Sequence, residues 1–389
     1  MRRRDGLSMI YLDNAATSWP KPACVNEAIT RYLSDVGASP GRSGHRLANE
    51  AERIRFDARE AVAGLLGVRD PMRVVFMSNA TAAINLVLRG LLPPGAHVVT
   101  TGMEHNAVLR PLRALEQDGV SVSIAPCRTD GTMEAPSIEA LIRPQTRLIA
   151  AIHASNVCGT ILPIREIGAL AREHGIPLLV DATQTAGCLP IDLAADNIDL
   201  LAFTGHKGLL GPTGTGGLAI GDDFDVGQLP PLICGGTGSR SEEEVQPDLL
   251  PDKYEAGTPN ILGLAGLAAS ARHVLACGVE DMMQRERALT GRLIEGLREI
   301  VGVRVLGTLD ASRQTAVVSF TIDGLPVSDI AHRLDEEFDI MCRPGLHCAP
   351  RAHRTLGTLP GGTVRLAAGP FTTESEIEAA IEAVGALAR

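Results

Sequence analysis

Between residues 70 and 220, short apolar runs alternate with longer stretches that have apolar residues at helical spacing. Six runs have the length of buried strands: RVVFM, HVVTT, VSVSIAP, RLIAAIH, IPLLVDA and IDLLAFT. Three of the stretches between or after them predict helices: ATAAINLVLRGLL, NAVLRPLRALEQ and IREIGALAREHG. Strands separated by helices of this length predict an α/β fold, a mostly parallel sheet with helices on both faces.

The pattern changes after this region. Residues 222–260 are rich in Gly, Pro and Glu, which indicates loops. Two long helical patterns follow, then strand-like TAVVSFTI, a helix at VSDIAHRLDEEF, strand-like TVRLAAG and a last helix. We therefore predict a large domain over residues 17–255 and a smaller α+β domain formed by residues 1–16 and 256–389.

Composition narrows the class of protein. A chain of 389 residues that is 45% hydrophobic and 21% charged is typical of a soluble enzyme with two domains. The net charge of −10 argues against nucleic-acid binding, which needs a basic face. The start, MRRRDGLS, lacks the apolar segment of a signal peptide and predicts a solvated tail, and no apolar run is long enough for a membrane span. Eight scattered cysteines without a CxxC pair indicate reduced thiols, so we expect a cytoplasmic protein.

Polar groups follow the predicted strands. His105 comes after HVVTT, Asn156 after RLIAAIH, Asp181 ends IPLLVD and Lys207 follows IDLLAFT, while a helix opens at Thr81 after RVVFM. Because ligands of open α/β sheets bind at the carboxyl ends of the strands, these residues predict a cofactor site.

Each of these residues also has an ordinary structural interpretation. Thr81 could cap a helix or hold a phosphate at the helix start. Asp181 could end a turn or hold a pyridinium N–H. His105 could be structural, and Lys207 could be a surface lysine or form a Schiff base. Two nucleotide motifs are excluded, because the residues around Lys207 do not match a P-loop and GPTGTGG precedes a strand rather than a helix.

Cys348 lies in IMCRPGLHCAP and admits four interpretations. A disulfide is disfavoured by the scattered cysteines. A zinc site with Cys342, His347 and His353 has the right ligand types but an unusual spacing. A buried apolar cysteine and a nucleophile are the other two.

Taken together, the motifs resemble those of the class V aminotransferase family of pyridoxal-phosphate enzymes, and within it the group II cysteine desulfurases. The resemblance implies fold type I, with a large seven-stranded, mostly parallel sheet and a smaller α+β domain. It is nearly end to end and rests on these segments: YLDNAAT at 11–17, ATAAIN at 80–85, EHNAVL at 104–109, HASNVCGTILPI at 153–164, VDATQ at 180–184, FTGHKGLLGPTGTG at 203–216, EAGTPN at 255–260 and RPGLHCAP at 343–350.

The resemblance implies a role for each matching residue. Lys207 would hold pyridoxal 5'-phosphate covalently, Asp181 would pair with the ring nitrogen, and Gln184 would reach the ring hydroxyl. His105 would stack on the ring and relay protons. The remaining roles are phosphate binding by Ala80, Thr81, Thr204 and His206, with Thr258 reaching the phosphate of the other subunit, and substrate binding by Asn14, Ala15, Asn156 and Arg365.

The implied reaction converts L-cysteine to L-alanine. The sulfur would pass to Cys348 as a persulfide and then to an acceptor protein, in a homodimer with shared sites. The acceptor stays open between iron–sulfur cluster assembly, thiolated tRNA and a narrower pathway. The chain departs from the family pattern at Ala82, where glutamate is usual, and at Leu346, where histidine is usual. Selenocysteine lyase or another C–S lyase on the same scaffold is therefore the alternative.

Overall fold

The computed structural model describes residues 9–41 and 44–389, so the arginine-rich start lies outside the described residues. The strands are β1 (Ile10–Tyr11), β2 (Val74–Met77), β3 (His97–Thr101), β4 (Ser121–Ala125), β5 (Thr146–Ile152), β6 (Leu178–Asp181), β7 (Leu200–Thr204), β8 (Gly216–Ile220), β9 (Val303–Leu306), β10 (Val317–Ile322), β11 (Ile340–Met341), β12 (Arg343–Gly345) and β13 (Thr363–Ala367). The α-helices are α1 (Ala23–Arg31), α2 (Arg46–Leu66), α3 (Ala80–Leu91), α4 (Asn106–Gln117), α5 (Pro136–Glu139), α6 (Ile164–Glu173), α7 (Ile261–Cys277), α8 (Val279–Arg298), α9 (Val327–Phe338), α10 (Pro350–Thr355) and α11 (Glu374–Leu387).

The larger sheet has seven strands in the order β2-β8-β7-β6-β5-β3-β4. Strand β8 runs antiparallel to both of its neighbours, and the other pairs are parallel. This confirms the predicted mostly parallel sheet. The first helix after β2 and the first after β3 begin at Ala80 and Asn106, as the sequence pattern indicates.

Helices cover both faces of this sheet. Side chains alternate along a strand, so Val98 of β3 packs with α3 and α4, whereas Val99 packs in the opposite layer with α2, α6 and α7. Leu148 and Ile149 of β5 divide between the two layers in the same way. Burial on both faces explains why these strands are apolar throughout rather than alternating.

The smaller sheet has four antiparallel strands in the order β12-β13-β10-β9. Helices α8, α9 and α11 pack against it in a separate core, and β1 pairs with β11 in parallel. The smaller α+β unit of the predicted fold class is thus present. Helix α7 packs with α1 and α2 in the core of the larger sheet, and the boundary at residue 255 stays a prediction.

Within the described residues, no helix is by itself long and apolar enough to cross a bilayer. The sharply bent pair α7 and α8 meets that length and composition test only when the two helices are taken together.

Candidate active site

Four of the predicted residues follow adjacent parallel strands. His105, Asn156, Asp181 and Lys207 lie at or just after the ends of β3, β5, β6 and β7, which are neighbours in the sheet. Burial lowers the pKa of His105, the carboxylate of Asp181 opposes that shift, and the charge of Lys207 adds to it. The strand-end rule therefore brings these groups into one electrostatic neighbourhood.

Lys207 is a partly buried amine that is not held by a hydrogen bond to any described residue. Desolvation lowers its pKa to about 8, and the positive charge of Arg365 is the next cause. Asp181 acts in the opposite direction but does not cancel these effects. Near pH 8, the Lys207 amine is consequently neutral in a large fraction of the molecules. The neutral form is the one that attacks an aldehyde.

Asp181 is a buried carboxylate, 2% exposed. Its Oδ1 accepts hydrogen bonds from the backbone N–H of Thr183, at 3.0 Å, and from the Thr183 hydroxyl. Within the described chain, Oδ2 has no hydrogen-bond partner. One carboxylate oxygen is therefore fixed and the other is free to hold a cationic ring N–H.

His105 is the N-cap residue of α4. Its Nδ1 accepts the backbone N–H of Ala107 at 3.0 Å, which assigns the proton of the neutral ring to Nε2. Behind it, the buried Glu104 accepts the Thr101 hydroxyl at 2.7 Å and the Ile152 N–H at 2.9 Å, both at Oε1. Burial raises the pKa of Glu104 to about 8, so the carboxyl is mostly protonated at neutral pH.

The start of α3 is suited to an anion. The Asn79 side chain caps the Ala82 N–H at 3.0 Å, and the N–H groups of Ala80 and Thr81 stay free of the helix. Gly216 of β8 makes this possible, because a Cβ there would lie 2.8 Å from the Cα of Asn79.

Two further predicted phosphate ligands lie at the end of β7. Thr204 is buried, and its hydroxyl donates to the carbonyl of Thr215 at 3.3 Å. His206 has a buried Nδ1 without a partner among the described residues, and burial lowers its pKa to about 4. Its carbonyl accepts the Ser18 N–H and the Lys21 amine, at 2.9 and 3.0 Å.

These groups fit pyridoxal phosphate. The helix start suits the phosphate, the free oxygen of Asp181 suits the ring nitrogen, and Lys207 suits the aldehyde. Gln184 donates to the carbonyl of Ala15 at 3.1 Å, which leaves its Oε1 available. Gln184, Asn14, Ala15 and Lys207 line one cavity.

Cys348 lies on a loop between β12 and α10. Its thiol is exposed, and its carbonyl accepts the Asn106 N–H at 2.8 Å, which places the loop beside His105. Cys348, His105 and Thr81 line a cavity of about 400 Å³. Of the four interpretations of Cys348, the structure disfavours the buried apolar cysteine, since this thiol reaches solvent.

The loop that carries Cys348 does not have extended backbone. His347 and Cys348 both have left-handed backbone, with φ of 49° and 55°, a conformation that costs energy in residues other than glycine. The His347 ring is nevertheless buried, with Nε2 3.1 Å from the hydroxyl of Thr363, and burial lowers its pKa to about 2. It is therefore held away from the exposed thiol.

Asn156 and Arg365 join the loop to the sheet. Asn156 Nδ2 donates to the backbone carbonyl of His347 at 2.7 Å. The backbone carbonyl of Asn156 accepts from Arg365 Nη1 at 3.0 Å. Arg365 Nη2 donates to Asp13 at 2.8 Å, and its buried Nε has no partner among the described residues. Sequence reasoning missed Asp13, although it stands inside the YLDNAAT segment, immediately before Asn14.

Thr258 does not line the cavity that contains Lys207. It is exposed and lines a separate cavity of about 310 Å³ with Phe76, Leu232 and Ile233.

All eight cysteines are free. In the described part of the chain, no three His, Cys, Asp or Glu side chains are grouped so that they could hold a metal ion. The zinc ligands considered above, Cys342, His347, Cys348 and His353, therefore do not form such a group.

Comparisons with known proteins agree with this geometry. The family model "Aminotransferase class-V" matches residues 10–380. A probable cysteine desulfurase of Methanothermobacter thermautotrophicus is 36% identical over 373 residues, 95% of this chain and 92% of the relative. A probable cysteine desulfurase of Xylella fastidiosa is 36% identical over 392 residues, 98% of this chain and 92% of the relative.

Solved structures are similar over the same length. An apo cysteine desulfurase from Thermococcus onnurineus superimposes with a TM-score of 0.90 at 33% identity, covering 98% of this chain and 94% of that one. A cysteine desulfurase from Escherichia coli gives 0.85 at 30% identity, with coverages of 97% and 94%. This chain belongs to the class V aminotransferase family and is dependent on pyridoxal phosphate.

Proposed function

We propose that the chain is a cysteine desulfurase that converts L-cysteine to L-alanine and takes the sulfur onto Cys348. The observation that carries this proposal is the position of Cys348, an exposed thiol in the same cavity as His105 and Thr81. A C–S lyase that simply eliminates sulfide would need no such thiol. The relatives named as probable cysteine desulfurases support the same activity.

Pyridoxal phosphate, when bound, supplies a cationic ring that withdraws electrons from the substrate. Asp181 would keep that ring nitrogen protonated, and Ala80, Thr81, Thr204 and His206 would hold the phosphate. Lys207 would hold the cofactor covalently, and its neutral amine would accept the proton from the substrate Cα. The lowered pKa of Lys207 suits both tasks near pH 8.

Cys348 acts as the nucleophile. Its thiolate attacks the substrate sulfur, a new S–S bond forms, and the C–S bond breaks with its electron pair passing to the substrate carbon. Protons delivered at His105 and Lys207 complete alanine, so no outside oxidant or reductant is consumed. Arg365 and Asn156 are hydrogen-bonded to each other and Asn156 to this loop, so both could bind the substrate there, with Arg365 pairing with its carboxylate. Asn14 and Ala15, which line the cavity of Lys207, would also contact the substrate.

The experiment measures alanine and sulfide released from L-cysteine in the presence of a reductant. Cys348→Ala should form no alanine, whereas Cys342→Ala is the matched control from the same segment. Burial raises the pKa of Cys342 to about 12, which leaves it inert. Alanine formation by Cys348→Ala, or release of pyruvate, would contradict the proposal and favour a lyase, with selenocysteine the next substrate to test.

We further propose a cytoplasmic homodimer in which Thr258 completes the phosphate site of the partner subunit. Its exposure and the exposed apolar residues Leu232 and Ile233, which line the same cavity, support this arrangement. Mixing two inactive variants, Lys207→Ala and Thr258→Asp, tests it. Shared sites predict recovered activity in mixed dimers, because one of the two sites then carries neither change.

A further inference from the structure

Three helices in the region of Cys348 are strongly basic. Helices α3, α4 and α10 carry five arginines and a single carboxylate, Glu116, although the whole chain has a net charge of −10. We call these five arginines the basic collar: Arg89, Arg110, Arg113, Arg351 and Arg354.

Two arginines of the basic collar line the cavity of the nucleophile, and two more follow it in the chain. Arg89 and Arg110 line the cavity of about 400 Å³ that also contains Cys348. Arg351 and Arg354 follow Cys348 on the short helix α10, and Arg354 is exposed. Positive charge is thus present both in the cavity of Cys348 and on the helix that follows it.

Most of this charge is not neutralised within the chain. Arg113 pairs with Glu116 at 2.5 Å, but no described carboxylate lies within ion-pair distance of the other four collar arginines. On the opposite, smaller unit, Arg292 pairs with both Glu374 and Glu378. The pKa of Arg351 is lowered by burial and then by the charges of Arg354 and Arg113, so these like charges stand close together.

We propose that the basic collar docks an acidic protein surface that presents its acceptor thiol to Cys348. The charges lie on three separate helices, so a protein surface matches them better than a small thiol. Complementary charge speeds encounter and sets orientation, which a transfer between two exposed thiols requires. The inference rests on the proposed desulfurase activity, because it concerns the fate of the persulfide.

The transfer itself balances without a further reagent. The acceptor thiolate attacks the outer sulfur of the Cys348 persulfide, a new S–S bond forms on the acceptor, and the bond to Cys348 Sγ breaks. Cys348 leaves as a thiolate and is ready for the next cysteine. The collar arginines take no part in this bond exchange and act on the approach of the acceptor alone.

The test uses the holoenzyme and ³⁵S-labelled cysteine with two synthetic peptides. Both carry one central cysteine, flanked in one by Asp and Glu and in the other by Lys, and dithiothreitol serves as an uncharged acceptor. We expect transfer to the acidic peptide to be about tenfold faster than to the basic one at low salt. About 0.5 M NaCl should remove most of that difference.

Charge reversal on the collar sharpens the test. Arg354→Glu should slow transfer to the acidic peptide severalfold and speed transfer to the basic one. The two transfer rates of Arg354→Gln should lie between those of the wild type and of Arg354→Glu. Alanine formed in a single turnover should be unchanged. Arg285→Glu, an exposed arginine on α8, is the matched control and should alter neither transfer.

Equal rates for the two peptides would overturn the inference while leaving the desulfurase activity intact. The same holds if Arg354→Glu slows the acidic peptide, the basic peptide and dithiothreitol alike, since that result would indicate damage to the loop. A chain that forms no alanine from cysteine would instead overturn the proposed function, and the inference with it.

Discussion

The cofactor pocket and the cysteine loop differ in backbone conformation and in exposure to solvent. The pocket residues Asp181 and Lys207 lie at the ends of parallel strands that are buried on both faces. The loop places Cys348 on left-handed backbone with its thiol in solvent. The sheet holds the pocket residues in fixed, desolvated positions. The exposed loop leaves Cys348 accessible to the acceptor in the proposed sulfur transfer.

A few hydrogen bonds join the two regions. The Asn106 N–H holds the carbonyl of Cys348, and Asn156 holds that of His347. Arg365 then connects Asn156 to Asp13. The strained loop is thus anchored to the pocket at its backbone, while the reactive side chain is left unrestrained.

The largest effect should come from the pocket. Lys207→Ala removes the amine proposed to link the cofactor, and we expect loss of the cofactor absorbance band and a fall in alanine formation of at least about a thousandfold. Borohydride reduction of the wild type followed by peptide mass analysis locates the link directly. The chain has three lysines, so an adduct on Lys21 or Lys253 would contradict the assignment.

The pH dependence of cofactor uptake tests the desolvation of the same lysine. Only the neutral amine attacks the aldehyde, so the uptake rate of apoenzyme should rise about tenfold per pH unit and level off above pH 8. An ordinary lysine, with a pKa near 10.5, would show no plateau until much higher pH.

Arg365→Gln provides the comparison within this experiment. It removes the positive charge that, after burial, does most to lower the pKa of Lys207, so the plateau should move to higher pH. A plateau that stays in place would mean that burial alone sets the pKa.

The two regions also differ in how far the sequence foretells them. The pocket follows from local patterns, because parallel strands necessarily bring the residues after them to one edge. His105, Asp181 and Lys207 were found in this way. The contact between Asp13 and Arg365 joins residues 352 positions apart, and no local pattern announces it.

The loop was less predictable still. Positive φ is usually signalled by glycine, but His347 and Cys348 adopt it without being glycine, so the residue types do not predict it. The role proposed for Thr258 needs a second chain, and its contacts are not given by one chain alone. The burial that raises the pKa of Glu104 likewise depends on the assembled wall of the pocket.

The substitution Glu104→Gln tests the raised pKa of this buried carboxyl. The folded state holds a proton on Glu104 up to about pH 8, whereas the unfolded chain releases it near pH 4.5, so wild-type stability falls as pH rises between these values. Glutamine keeps the oxygen that accepts from Ile152 and Thr101 and has no such pH dependence. The Tm of Glu104→Gln should therefore be close to the wild type at pH 5 and higher by several degrees at pH 9. An unchanged difference across this range would contradict the raised pKa.

The smallest effect concerns the loop backbone. At Cys348, with φ of 55°, any side chain with a Cβ pays for the left-handed conformation, while glycine does not. The exposed thiol makes few stabilising contacts, so Cys348→Gly should be more stable than Cys348→Ala by about 0.5–1 kcal/mol. Urea unfolding of the two variants measures the difference. The same pair of substitutions at Cys342, which does not have positive φ, should give the opposite order, with glycine the less stable. If alanine were the more stable residue at both positions, the loop would not be strained, and the contrast between a relaxed pocket and a strained carrier loop would fail.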